Sequence, residues 1–452
     1  MEQGQAEVIP LGGGCPPPGS RGPQLRVDCM RCEATHILER WSSAQGDLCA
    51  QNAAYKLAWG FGKSISYSFG EKTKDVNMLT VQTLDLSQKK QIHQFIEFPF
   101  RLYRNDPYWV PPLWMDMEAQ LNHRKNPFFE HSEADFFLVI QDGQVVGRIA
   151  ALNNRHFNQY HASKKAQFYD FECTNDFSVA SALFEKVFEW ARQHDLDTLI
   201  GPKGFGVMDG YGILTSGFDQ PTMMTSMNYN PPYYPDFMER LGFTKEVDFV
   251  STLIDIAEFH LPERVHRIAK WVERHGEIKM HHFKTIKELK EWSWRIGETY
   301  NKAFVNNWEY APLTEREIKM VVDTLELVAD PRLIKIMTSG DEVVGFALAF
   351  PDAAKALQRN HGRLFPFGLV DILLEMRRTR WVAINGGGIL PEFHGLGGNA
   401  LLYAEGDKMI RTGQFTHAAF YQVAETAVQM RKDLENLGAI PYKNHRVYQH
   451  TI

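Results

Sequence analysis

The chain has 452 residues, 44% of them hydrophobic and 23% charged, and a formal net charge of −6, the composition of a soluble globular protein of two or three domains. That negative balance argues against a general affinity for nucleic acid, and no apolar run approaches the ~18 residues that span a bilayer; Leu364 to Leu374 comes nearest and Asp371 interrupts it. No secretory signal opens the chain, which places the protein in the cytoplasm.

Residues 1–77 lack any period of 2 or 3.6 and carry Gly12-Gly13-Gly14 and Pro16-Pro17-Pro18, so they do not read as a folded domain. Two readings stay open: a disordered tail, or an upstream extension of a chain that truly begins at Met78. The second is preferred, and on both the segment carries no function. Cys15, Cys29, Cys32 and Cys49 all lie in it. Cys29 and Cys32 have the spacing of half a zinc site, but no second half follows, so no metal is expected.

From Met78 the pattern is regular. A strand at 78–81 and a helix over 87–104 end at Asp106 to Pro112, where the prolines stop the helix. Strands 136–140 and 145–152 flank Asp142-Gly143, a pair suited to a tight primed turn. A strand at 166–173, an amphipathic helix from Ser178 and a short strand at 198–200 follow. Residues 201–235 form an irregular stretch rich in Gly, Pro and Tyr, long enough to suggest a function. A helix then ends at Gly242, and a strand over 249–256 closes this half.

The second half starts with helices at 262–275, 285–305 and 314–328, the third opened by the capping-box pair Thr314 and Glu317. A hairpin over 333–337 and 343–350 precedes an insertion, 351–380, with a helix at 367–377. The strand Trp381 to Asn385 leads into glycines and then a helix to Thr412. A strand at 418–423, a helix at 425–437 and a closing strand at 446–448 finish the chain. Val145-Val146-Gly147 recurs as Val343-Val344-Gly345, and Leu241-Gly242 as Leu437-Gly438. The two offsets nearly agree and the element order between them is the same, which points to a duplicated α/β domain.

The stretch most charged with chemistry is Pro391-Glu392-Phe393-His394-Gly395-Leu396-Gly397-Gly398-Asn399-Ala400-Leu401-Leu402. A glycine turn feeding a helix N-terminus leaves peptide N–H groups uncovered, and the helix dipole favours an anion there. Gly395, Gly397 and Ala400 also fit the G-x-G-x-x-A of a dinucleotide binder, but too little chain follows for the second half of such a fold.

This stretch resembles the pyrophosphate loop of the GNAT superfamily, the acyl-CoA N-acyltransferases, and the element order of each half is similar to theirs. The duplicated layout resembles tandem-GNAT proteins, among them the Fem-type aminoacyltransferases and a group of bacterial tandem proteins of unassigned substrate. The resemblance covers Met78 to Ile452. It implies an α/β fold with a mixed α+β sheet in two tandem GNAT-like domains, 78–258 (degenerate) and 259–452, behind the 1–77 segment. It also implies acetyl-CoA or another acyl-CoA as co-substrate, no metal, and a small-molecule or peptide amine as acceptor. Peptide N–H groups of Gly395, Leu396, Gly397, Gly398 and Asn399 would hold the pyrophosphate, with His394 beside them. Backbone groups of Ile389 and Leu390 would pair with the pantetheine arm.

There are departures. His394 and Asn399 replace the family's Arg/Gln and Gly/Ala. Its usual proton-donating tyrosine is replaced by Leu434, and by Met238 in the first half. The first half also has Asp176 where a phosphate would lie. Catalytic candidates are Glu425 and Tyr421, each with a bland alternative: a helix N-terminal carboxylate and a strand aromatic. The expected function is N-acyl transfer to an amine, the alternative a catalytically silent binding or regulatory module. On either, the loop amides must face outward and the preceding strand must leave room for a pantetheine tail.

Overall fold

Asp142 and Gly143 both take positive φ, 50° and 75°, the geometry of a primed two-residue turn, and they close the hairpin of β2 (Glu133–Gln141) and β3 (Gln144–Asn153) as the Asp-Gly pair predicts. The computed structural model describes residues 79–223 and 227–452; the expectations for residues 1–77 lie outside them. Before the hairpin come β1 (Thr80–Thr83), α1 (Lys89–Leu102) and α2 (Trp114–Gln120). After it the first half runs α3 (Arg155–His161), β4 (Lys165–Cys173), α4 (Phe177–Gln193), β5 (Thr198–Gly201), β6 (Ile213–Ser216), α5 (Tyr234–Arg240) and β7 (Thr244–Asp255).

The second half repeats the plan. It has α6 (Glu263–His275), β8 (Ile278–His281), α7 (Ile286–Ala303), α8 (Glu315–Val328), β9 (Lys335–Ser339) and β10 (Glu342–Pro351). The insertion carries α9 (Ala354–Arg359) and α10 (Gly368–Arg378). Then follow β11 (Trp381–Ile389), α11 (Gly398–Ile410), β12 (His417–Ala424), α12 (Val428–Asn436) and β13 (Ile440–Thr451). The capping box at α8 forms: Thr314 N–H donates to Glu317 Oε2 (2.8 Å) and Glu317 N–H to Thr314 Oγ1 (3.3 Å). The repeated glycines are places of close approach. A Cβ on Gly147 would stand 2.7 Å from Val179 Cγ1, and one on Gly345 2.4 Å from Met337 Cε.

All thirteen strands join one mixed sheet in the order β1-β2-β3-β4-β5-β13-β7-β12-β11-β10-β9-β8, with β6 also paired to β13. The two halves exchange their last strands: β13 lies against β5 of the first half, and β7 against β12 of the second. β7 and β13 pair with each other along almost their whole length, from Ile440↔Leu253 to Gln449↔Thr244. Two expectations are corrected here. The closing strand is twelve residues long, not three, and central rather than terminal. Gly386, Gly387 and Gly388 belong to β11, not to a turn, and α11 begins at Gly398.

Candidate active site

In the second half β11 and β12 run parallel, paired from Trp381↔His417 to Ile384↔Phe420, and then part. Among the described residues, β11 continues to Ile389 paired with β10 alone, and β12 to Ala424 paired with β7 alone. Irregularities on both sides re-aim the strands. The register of β10 against β11 shifts between Ala347 and Ala349, and that of β12 against β7 between Phe420 and Val423. Gln422, at φ 56°, is the extra residue, and its N–H donates to Ser251 Oγ (3.3 Å). Among the described residues the β12-facing edge of Asn385 to Ile389 is therefore a strand edge without a partner strand.

That edge leads to the glycine loop. Residues Pro391–Phe393 make one turn of 3-10 helix, and Gly395 and Gly397 take φ 79° and 85°. A Cβ on Gly397 would lie 2.6 Å from Val272 Cγ2 on α6, so the loop is pressed onto that helix. Among the described residues, no protein acceptor is found for the peptide N–H groups from Gly395 to Ala400. Amides unclaimed at the N-terminus of a 13-residue helix fit an anionic diphosphate. α11 is fixed beneath them: Glu405, buried, takes Lys408 (2.7 Å) and His282 (2.8 Å), and these contacts with Lys335 hold its carboxyl near pKa 2 against the opposing effect of burial.

The remaining expected residues have settled positions. Leu390 is fully buried and gives its N–H to Val344 O (2.9 Å). His394 Nε2–H donates to Ile389 O (2.9 Å), so the imidazole lies along the strand end. Asn399 Nδ2 reaches Asp433 (3.3 Å). Glu425 pairs with Lys245 Nζ (2.7 Å) and accepts the N–H of Asp248 (3.1 Å), which ties β12 to β7. Tyr421 is buried on the sheet face opposite α11, in a cluster with Met223, Met227, Ala383 and Ala419 that Trp381, Leu253 and Tyr442 border. Leu434, in the place of the absent tyrosine, packs with α11 in the apolar core on the other face.

The sequence reading missed Lys443. Its side chain is 1% exposed, with Nζ 3.4 Å from Thr222 Oγ1 and 5.5 Å from the Tyr229 ring centroid. Burial lowers its pKa to about 8. Nearby, His445 is fully buried with Nε2–H donated to Asn228 O (2.8 Å); burial lowers its pKa to about 4 and keeps it neutral. No local signal marks either residue, because they are interior only through the strand exchange. Glu172 on β4 was also missed. It accepts hydrogen bonds from Tyr103 and Tyr234, and burial raises its carboxyl to about 7.

Among the described residues the first half offers no such seat. β4 and β5 also part, after Gln167↔Ile200, but the chain beyond β5 turns back against β4, with Lys203 N–H donating to Phe168 O (2.9 Å). At the N-terminus of α4 the anion position is filled from within: Asp176 Oδ1 accepts the N–H (2.9 Å) and hydroxyl (2.7 Å) of Ser178.

The fold resembles the tandem GNAT layout. The parted parallel strands, the glycine loop and the repeated element order carry that statement. No protein-family model matches the chain. Over 391 residues it is 27% identical to a bacterial ceramide synthase of Caulobacter vibrioides, spanning 84% of this chain and 99% of that protein. Over 385 residues it is 26% identical to protein YghO of Escherichia coli K12, spanning 83% and 97%. Among solved structures it is similar to a tandem GNAT protein from the clavulanic acid biosynthesis pathway, at a TM-score of 0.49 and 14% identity over 83% of this chain and 98% of that one. It is also similar to a GCN5-related N-acetyltransferase from Sphaerobacter thermophilus, at 0.44 and 14% over 82% and 95%. No helix among the described residues of this GNAT-like fold is long and apolar enough to cross a membrane.

Proposed function

We propose that the protein is an N-acyltransferase that moves an acyl group from an acyl-CoA to an amine, with the coenzyme held by residues 259–452 and 78–258 serving as a degenerate second GNAT-like domain. One observation carries this: among the described residues, the unpartnered edge of β11 runs directly into a loop whose peptide N–H groups from Gly395 to Ala400 have no protein acceptor. The loop amides bind the diphosphate. From there the pantetheine arm runs back along the free edge from Ile389 to Asn385, with its thioester end where β11 and β12 part. There a strand amide polarises the thioester carbonyl. The amine nitrogen attacks that carbon, the C–S bond breaks, and a proton lost by the amine ends on the departing sulfur. Tyr421 and Lys443 stand on the acceptor side of the sheet; Glu425 is committed to Lys245 and Asp248 and serves structure.

The acceptor face is apolar, with Met223, Met227, Leu253 and Trp381 around Tyr421. Together with the relative whose name is ceramide synthase, this favours a long-chain amine and a fatty acyl donor. The test is thiol release from acetyl-CoA and palmitoyl-CoA in the presence of long-chain amino alcohols. Release that depends on the amine, falls roughly 100-fold in Tyr421→Phe and persists in Glu425→Gln is the expected result. A second reading, a silent binding module, is favoured by Leu434 in the tyrosine's place. Stabilisation by acyl-CoA without thiol release from any amine would establish it instead.

A further inference from the structure

We infer that the insertion between β10 and β11 is a membrane-docking face that seats on an anionic lipid surface. The 13-stranded core does not need this segment's outer side, and six large apolar side chains stand exposed on it. Phe365 and Phe367 are 82% and 76% exposed, and Leu369, Val370, Leu373 and Leu374 follow on one side of α10. On the 11-residue helix Leu369/Leu373 and Val370/Leu374 are pairs four residues apart that make one stripe, and Phe365 and Phe367 stand just before its first turn. An apolar patch of this kind on a folded protein marks a contact surface.

Charge identifies what it contacts. The opposite side of α10 packs inward through Ile372 and Met376 onto α9 and the Val110–Leu113 segment. The two carboxylates of α10 are both taken up in ion pairs. Asp371 and Glu375 both bind Arg359 of α9, at 2.9 and 2.6 Å, and Asp371 also accepts from Asn360 (2.7 Å). Among the described residues no carboxylate of the helix is left without a cationic partner. What flanks the apolar stripe is exposed arginine: Arg363 before it, and Arg377 and Arg378 at its end. From Asp352 to Arg380 six cationic side chains face three carboxylates, a local net charge of +3 in a chain whose net is −6. An apolar face bordered by arginine, on a helix whose acids are ion-paired, matches the boundary of an anionic bilayer, where the rings and leucines enter the acyl region and the guanidiniums meet headgroup phosphates. A second copy of the chain is a poor occupant, because a two-fold contact sets the same patch against itself and brings these arginines together.

This inference does not depend on acyl transfer, and its test reads binding alone. The full chain is floated with vesicles of pure phosphatidylcholine and with vesicles carrying one third phosphatidylglycerol, at low and high salt. The expected result is binding to the anionic vesicles only, weakened by salt. Phe365→Ser with Phe367→Ser should weaken it at least tenfold, and Arg377→Gln with Arg378→Gln by about fivefold per arginine, the worth of ~1 kcal/mol for each basic side chain near such a surface. All variants should keep the parent melting temperature. Failure to float with anionic vesicles, or binding unchanged in the variants, overturns the proposal. So does a dimer in lipid-free solution that the two phenylalanine substitutions dissolve, since the patch would then be a protein interface.

Discussion

Lys443 sets a pH dependence that a surface lysine would not. Its folded pKa is lowered by burial to about 8, against 10.5 for the free side chain. Between those values the unfolded chain binds more protons than the folded one, so stability rises with pH through that window and is lost again as pH falls through about 8. At ~1.4 kcal/mol per pH unit of difference, the effect is on the order of 3 kcal/mol. We expect the melting temperature to climb from pH 7.5 to 9.5, and Lys443→Met to flatten the climb while stabilising the protein at pH 7.5. A parallel climb in the variant would assign the effect elsewhere. This residue was beyond sequence reading for a physical reason. Tyr442-Lys443-Asn444-His445-Arg446 has the polarity of an edge or a loop, and only pairing with the other half turns it into interior.

The glycine loop is the element on which the proposed function turns, and much of its local form was legible. Pro391 to Leu402 predicts a turn into a helix, and among the described residues the N–H groups from Gly395 to Ala400 find no protein acceptor, because glycine's backbone freedom and the unpaired first turn of a helix are local properties. The parting of β11 from β12 was not legible in the same way. It depends on a bulge at Gln422 and a register shift opposite Ala347, neither of which has a residue signature, and Gly386 to Gly388 read as turn although they continue a strand. Gly397→Ala probes the element. The residue needs φ 85° and its Cβ would stand 2.6 Å from Val272, a strain of about 1–3 kcal/mol. Acyl-CoA affinity by titration calorimetry should fall by roughly 5- to 100-fold. Unchanged affinity would mean that the loop holds nothing.

For the whole molecule, the exchange of β7 and β13 makes the two sequence halves one sheet. Local periodicity predicts each half's helices and hairpin, and the repeated Val-Val-Gly marks the duplication, but neither specifies which half a terminal strand completes. Residues 79–258 alone would leave β5 with an open edge and β7 without either of its neighbours. We therefore expect the separately produced halves to aggregate or lack cooperative melting, and the co-expressed halves to form a complex. Two independently cooperative halves would contradict the shared sheet.

The most direct test is a crystal structure of the full chain with coenzyme A. The diphosphate should lie on the amides of Gly395 to Ala400, with pantetheine between β11 and β12. Coenzyme bound against β4 in the first half, or β11 closed onto β12 with the loop amides empty, would contradict it.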